Sequence, residues 1–113
     1  MEKLLEGKCE ACKADAPLVT ADEKKELMPQ IPGWNIIEVD GIEQLTCSFA
    51  FKDYLSALNF VNQVANLAEE EDHHPEIFLE WGKVTVSWWS HKIKGLHKND
   101  LIAAAKTDSL FSE

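Results

Sequence analysis

Two runs of alternating polar and apolar residues, each set against a turn, constrain the fold more than anything else in the chain. After the tight-turn pair Asp40-Gly41, Leu45, Cys47, Phe49 and Phe51 alternate with Gln44, Thr46, Ser48 and Ala50, and a β-rich stretch from Trp34 to Asp40 precedes that pair. Further on, Ile77, Leu79 and Trp81 alternate with Glu76, Phe78 and Glu80; Gly82 follows, and then Val84, Val86 and Trp88 alternate with Thr85, Ser87 and Trp89. A period of two sends successive side chains to opposite faces of a strand, and Asp-Gly is a favoured two-residue hairpin turn. Two hairpins are therefore predicted, the first with one buried face and the second with Trp81 and Trp88 in the core.

The segments between them read as helices. Thr20-Ala21-Asp22-Glu23 has the spacing of a capping box, and the short helix it opens must stop near Met28, because Pro29 and Ile31-Pro32-Gly33 interrupt the repeat. From about 53 to 71 one apolar stripe runs through Leu58, Val61, Ala65 and Ala68, and a second through Phe60, Val64 and Leu67. Together they cover roughly half the helix circumference, more than packing on one sheet face requires. The surplus stripe suggests a partner helix from another subunit, hence a homo-oligomer, a dimer or tetramer. A last helix begins at Lys98 or Asn99 and is filled by Leu101 to Lys106. The order helix, hairpin, helix, hairpin, helix implies an α+β fold: a two-layer arrangement in which an antiparallel four-stranded sheet carries its helices on one face.

A chain of 113 residues with 45% hydrophobic content can bury one core. Residues 1–19 read as a polar arm and residues 20–113 as a single domain. No apolar run approaches a membrane span, and the start Met1-Glu2-Lys3-Leu4-Leu5 lacks the pattern of a signal peptide, so a cytoplasmic protein without membrane contact is expected. The formal net charge is −9 and every basic residue is a lysine. Without arginine, and with an acidic surface, nucleic acid is a poor partner and a neutral heterocycle an easier guest. Cys9, Cys12 and Cys47 are odd in number, which argues for reduced thiols. Cys9-x2-Cys12 has the spacing of a zinc half-site or redox pair, but no second pair accompanies it, and the plainer reading is part of the arm.

Chemistry concentrates in Glu69-Glu70-Glu71-Asp72-His73-His74-Pro75, followed by His91 after a strand-like run. Imidazole titrates near neutrality, and adjacent negative charge favours its protonated form, so the cluster suits proton transfer. Four carboxylates at a helix C-terminus oppose the macrodipole, which asks for a further reason to have them there. Pro75 holds His74 extended, and adjacent side chains on an extended segment diverge, so His73 and His74 are expected to do different jobs. Glu70 and Glu71 read as solvated, as does His97.

The pattern Glu69-x3-His73-His74-Pro75-x5-Trp81-x9-His91-x8-Asp100 resembles the signature of the pterin-4a-carbinolamine dehydratases. Gly33-Trp34-Asn35 and Phe49-x-Phe51-Lys52-Asp53-Tyr54 resemble that family's turn before the first strand and its entry to the long helix, so roughly residues 20 to 107 are covered. The resemblance implies a hydro-lyase that needs no cofactor or metal and removes water from 4a-hydroxytetrahydropterin, a pterin substrate supplied by a pterin-dependent aromatic amino acid hydroxylase. It implies a pterin lying among Asp72, His73 and His74 and Trp89, Ser90 and His91. His74 would be the principal proton donor, His73 and His91 would position the substrate and exchange the N5 proton, Glu69 and Asp100 would orient imidazoles, and Trp34 would wall the pterin. Two departures from the family stand out: Asn99 where some relatives carry a basic residue, and Trp89, which replaces a small residue and would narrow the pocket. Two rival readings are a metal shell built from His73, His74, His91 and a carboxylate, and a protein-binding or regulatory module using the Phe60, Val64 and Leu67 stripe.

Overall fold

The computed structural model describes residues 4–6 and 18–111. Both hairpins form. Strands β1 (Asn35–Val39) and β2 (Ile42–Ala50) meet at Asp40-Gly41, whose φ angles of 52° and 81° are the left-handed pair that a type I′ turn demands. Strands β3 (Glu76–Glu80) and β4 (Lys83–Trp88) meet at Trp81-Gly82. Gly82 serves here through its lack of a side chain: an added Cβ would come within 3.1 Å of the Phe51 carbonyl oxygen, while the Phe51 amide donates to Gly82 O at 2.9 Å. The hairpins join edge to edge through β2 and β4, with Cys47 opposite Val86, giving the antiparallel order β1-β2-β4-β3.

Helix α1 (Ala21–Leu27) starts with the predicted reciprocal cap: Glu23 N donates to Thr20 Oγ1 at 3.1 Å and Thr20 N to Glu23 Oε1 at 2.9 Å. Helix α2 (Tyr54–Glu71) is capped by Asp53, which accepts from Ser56 N at 2.8 Å. Helix α3 (Lys98–Phe111) extends a turn beyond the predicted Leu101 to Lys106. The fold is thus the expected α+β arrangement, in the order α-β-β-α-β-β-α. Among the described residues no helix is long and apolar enough to cross a membrane.

The core lies between sheet and helices. Leu45 and Phe49 of β2 and Val84, Val86 and Trp88 of β4 face Ala57, Phe60, Val64 and Ala68 of α2 and Leu101, Ile102 and Ala104 of α3. Helix α3 is buried continuously from Asn99 to Ala105, because a 3-10 turn at Leu4–Glu6 packs over it from the side the sheet leaves open. Leu4 is fully buried there, and such burial stabilises by about 1.5–3 kcal/mol. Packing therefore reaches ahead of residue 20, although Cys9 and Cys12 lie outside the described residues.

Three expectations are corrected. Phe60 and Val64 do not form a surplus stripe, because they share one helix face with Ala57 and Ala68 and point into this chain's own core. The apolar residues that α2 leaves outward are Tyr54, Leu55 and Ala65, with Leu58, Val61 and Leu67 half-buried, so Phe60 and Val64 supply no argument for a second subunit. Trp81 is 68% exposed, because β3 ends at Glu80 and strand parity ends with it. Trp34, expected against a guest, is 3% exposed and is itself core. Its ring meets Phe49 edge-on at 6.0 Å and its Nε1 donates to Asp108 Oδ1 at 2.9 Å, tying the first strand to the end of α3.

Burial pushes the Asp108 carboxyl above its ordinary range, with the Trp34 N–H acting the other way. Partial burial, and secondarily the same carboxylate, push the Cys47 thiol up to about 11, which keeps it protonated near neutrality. For Asp108 the folded state binds the proton more tightly than the unfolded chain. Stability therefore falls as pH rises from the ordinary carboxylate value through the raised folded value, and is level above it. Asp108→Asn keeps an acceptor for the indole and is expected to be at least as stable as wild type at neutral pH, with that decline flattened. Asp108→Ala strands the indole N–H and is expected to cost about 1–3 kcal/mol. Urea unfolding from about pH 4 to 8 distinguishes the two.

Candidate active site

Three backbone features bring the site residues to one end of the sheet. The first is the end of α2. Asp72 closes the helix in the left-handed conformation, φ 50° and ψ 43°, and its amide bonds Ala68 O and Glu69 O, while His73 N reaches Ala68 O at 3.1 Å. This reversal turns the chain so that His73 points inward and, with Pro75 next, His74 points out. The second is the end of β4, where Ser90 pairs with Gly95 across a turn and alternation sends Trp88 and Ser90 inward and Trp89 outward. The third is the start of α3, which carries Asp100.

Asp100 is 0% exposed and joins all three. Its Oδ1 lies 2.6 Å from His73 Nε2; its Oδ2 accepts from Ser90 Oγ at 2.9 Å and from His97 N at 2.8 Å. The His73–Asp100 contact is a short hydrogen bond with one proton between Nε2 and Oδ1. The His73 ring, 3% exposed, stacks on Trp88 with centroids 5.3 Å apart. Trp88 is anchored in turn, donating from Nε1 to Thr107 Oγ1 at 3.1 Å. His73 is thus fixed from its edge and from its face.

His74 is differently placed. Its Nε2 lies 2.6 Å from Glu69 Oε2, with the two side chains 57% and 78% exposed. An ion pair so open to water contributes at most about 1 kcal/mol to folding, so the fold does not depend on it. His91 is also exposed and lies against Trp89, ring centroids 4.5 Å apart. Trp89 in turn lines a shallow groove of about 450 Å³ on the outer face of the sheet, with Gln44, Thr46, Phe78 and Ser87. The structure therefore unites His73, Ser90 and Asp100 directly, pairs His74 with Glu69, and pairs His91 with Trp89. Through Asp100 it holds the segments 72–74 and 89–91 together, one on each oxygen of a single carboxylate. Among the described residues no three His, Cys, Asp or Glu side chains are placed to hold a metal ion.

Two residues read as solvated are not. Glu71 lies 3.3 Å from Lys106 in a largely buried pair that pins the end of α2 to α3. His97 accepts from Asn99 N on its ring Nδ1 at 3.0 Å and so caps α3. Its signal in the sequence is the spacing His97-x2-Asp100, a capping-box interval with histidine in the place of serine or threonine.

Comparison with known proteins agrees with this architecture. Residues 17–110 match the family model described as pterin 4 alpha carbinolamine dehydratase. A protein of Saccharophagus degradans is 55% identical over 98% of both chains, and one of Marinobacter nauticus is 57% identical over 98% of this chain and 100% of its own. Both are provisionally named pterin-4-alpha-carbinolamine dehydratases. Among solved structures, a transcriptional coactivator/pterin dehydratase from Brucella melitensis superposes with a TM-score of 0.74 and 36% identity, covering 83% of this chain and 98% of that one. A pterin dehydratase-like protein identified as a RuBisCO assembly factor in the alpha-carboxysome shares the fold, with a TM-score of 0.61 and 23% identity over 72% of this chain and 92% of its own. The chain belongs to the pterin 4 alpha carbinolamine dehydratase family.

A non-glycine residue in the left-handed conformation carries a local penalty, and Asp72 adds a negative charge where the helix dipole disfavours one. Asp72→Gly relieves both and is expected to raise stability by on the order of 1 kcal/mol, read as an upward shift in the urea midpoint with unchanged slope.

Proposed function

We propose that this chain dehydrates 4a-hydroxytetrahydropterin to the quinonoid dihydropterin by histidine acid–base catalysis. It would act in the cytoplasm to return the pterin produced by an aromatic amino acid hydroxylase for reduction. The observation that carries this reading is the contrast between the two adjacent imidazoles: His73 is locked in a buried network, while His74 is open to solvent and paired with an equally open carboxylate.

The reaction breaks the C4a–O bond, with a proton delivered to the departing hydroxyl so that it leaves as water. The electron pair of N5 forms the C4a=N5 bond, and the N5 proton is taken up by a base, so no net proton is gained or lost. An exposed imidazole held by a carboxylate can approach a guest and exchange protons with solvent, which suits His74 as the acid, with Glu69 orienting it. His91, on the flat face of Trp89, suits the N5 side. Trp89 gives an apolar shelf of bicyclic dimensions, and Asp72, beside His73, offers a carboxylate to the pterin's N–H donors. His73 is too enclosed to be the principal donor; its part is to hold the 72–74 segment against Ser90 and Asp100. The rival reading as a binding module loses two residues of its stripe, Phe60 and Val64, to the core, while Leu67 stays half-buried.

Transient absorbance of freshly generated carbinolamine tests the assignment. Wild type is expected to accelerate its decay, and His74→Ala to lower kcat by about 10²–10⁴ without loss of stability. His73→Ala is expected to lose stability as well, by about 3–5 kcal/mol, since it removes one partner of a buried pair and leaves the Asp100 carboxylate short of a donor. Asp72→Gly should show raised stability with reduced activity. No acceleration by wild type rejects the reading, and a fully active His74→Ala rejects the role of His74.

A further inference from the structure

We infer that His97 is a positioning residue for the site: its imidazole caps α3, and the cap sets the carboxylate of Asp100 that holds His73 and Ser90. The inference rests on the dehydratase reading for its kinetic consequence, but the geometry beneath it is independent of any substrate.

The first amides of a helix have no partner within it, and a side-chain oxygen normally supplies one. At α3 the acceptor is a ring nitrogen, His97 Nδ1, 3.0 Å from Asn99 N, so the bonded tautomer carries its hydrogen on Nε2. Asp100, three residues on, returns the bond: its Oδ2 accepts from His97 N at 2.8 Å. This is the reciprocity of a capping box, but its acidic member is shared. The Oδ2 that closes the box is also the acceptor for Ser90 Oγ, and the other oxygen of the same carboxylate meets His73. The carboxylate of Asp100 is therefore shared between the cap at His97 and the two site residues.

The surroundings leave His97 little alternative. Leu96, immediately before it, is buried, and Gly95 is bound to Ser90 through the backbone in both directions, at 2.8 and 3.4 Å. Asp100 N also donates back to His97 O at 2.9 Å. Ser90, Gly95, His97 and Asp100 thus form a closed hydrogen-bonded loop through the main chain of His97, and the capping ring, bonded to Asn99 N, braces the turn that carries it. If the ring is lost, the first turn of α3 can loosen, and Asp100 rotates with it.

The test compares variants of the full chain that differ in one property, an acceptor at position 97. His97→Asn and His97→Ser retain one; His97→Ala does not. Should His97→Ala fold poorly, His97→Gly, which helix starts tolerate, replaces it. Two readouts are taken: kcat and KM for dehydration, and the downfield proton resonance of His73 Nε2–H. For His97→Ala, kcat is expected to fall about tenfold with KM within twofold, and the His73 proton to broaden or shift. In His97→Asn both readouts should return to within about twofold of wild type. Equal values for His97→Ala and wild type overturn the inference, and so does equal impairment in His97→Ala and His97→Asn. If wild type shows no dehydratase activity, the resonance alone decides, so failure of the functional reading and failure of the positioning role are told apart.

Discussion

A single buried carboxylate organises the functional end of this molecule. Asp100 lies in the core with no exposure, and an ion there is tolerated only where donors replace the water it has lost. It has three: an imidazole, a hydroxyl and a main-chain amide, each from a different stretch of chain. The requirement acts in both directions. His73, Ser90 and His97 are held because Asp100 needs them, and the helix bearing Asp100 can be enclosed on nearly every side because they answer it. Removing one member of such a buried set costs about 3–5 kcal/mol where a charge is left uncompensated, comparable to a large share of a small domain's stability. That makes the cluster a structural element first. The proposed chemistry falls to the histidine it excludes.

The excluded one is His74. Neighbours in sequence separate into buried and exposed because α2 ends on a left-handed residue and Pro75 keeps His74 itself extended. One imidazole then serves the fold and the other is free to serve a reaction. A reacting imidazole must change protonation state and meet solvent, and a ring bonded into the core can do neither cheaply. Placing both on one dipeptide holds the exposed ring within one residue of the fixed one, so in the proposed role His74 would be positioned by the core without belonging to it.

Much of this is legible in the sequence. Alternation marks the hairpins, Asp40-Gly41 the turn, and Thr20 with Glu23 the first cap, all of them local signals that hold over a few residues. The joining of β2 to β4 is not legible, since edge pairing between hairpins rests on contacts between distant residues. Trp81 fails as a core residue because parity predicts a face only while a strand lasts. The two stripes of α2 divide differently in the fold: Ala68 belongs with Phe60 and Val64 on one face, and a count of apolar positions cannot say how much of a helix the sheet and α3 will cover. The motif around Trp34 points to the site, yet its indole N–H meets a carboxylate on α3, a partner 74 residues away. Glu71 and His97 look solvated in the sequence because their partners, Lys106 and the amide of Asn99, become partners only once α3 is in place.

The acidic run at the end of α2 shows how the two levels meet. Four carboxylates beside a helix C-terminus are unfavourable taken as a group. Taken singly, three of them have an occupation: Glu69 holds His74, Glu71 pairs with Lys106, and Asp72 makes the reversal that separates the histidines. Glu69 and Asp72 do so from the surface, where Glu70 also lies. Glu71 is answered from another element, its pair with Lys106 setting the end of α2 on α3, whereas Asp72 sets the direction of His73 through its backbone and Glu69 meets the ring of His74 five residues on. A helix end chosen for its own stability would have carried lysine and glycine there, and would have had no means of orienting two imidazoles differently.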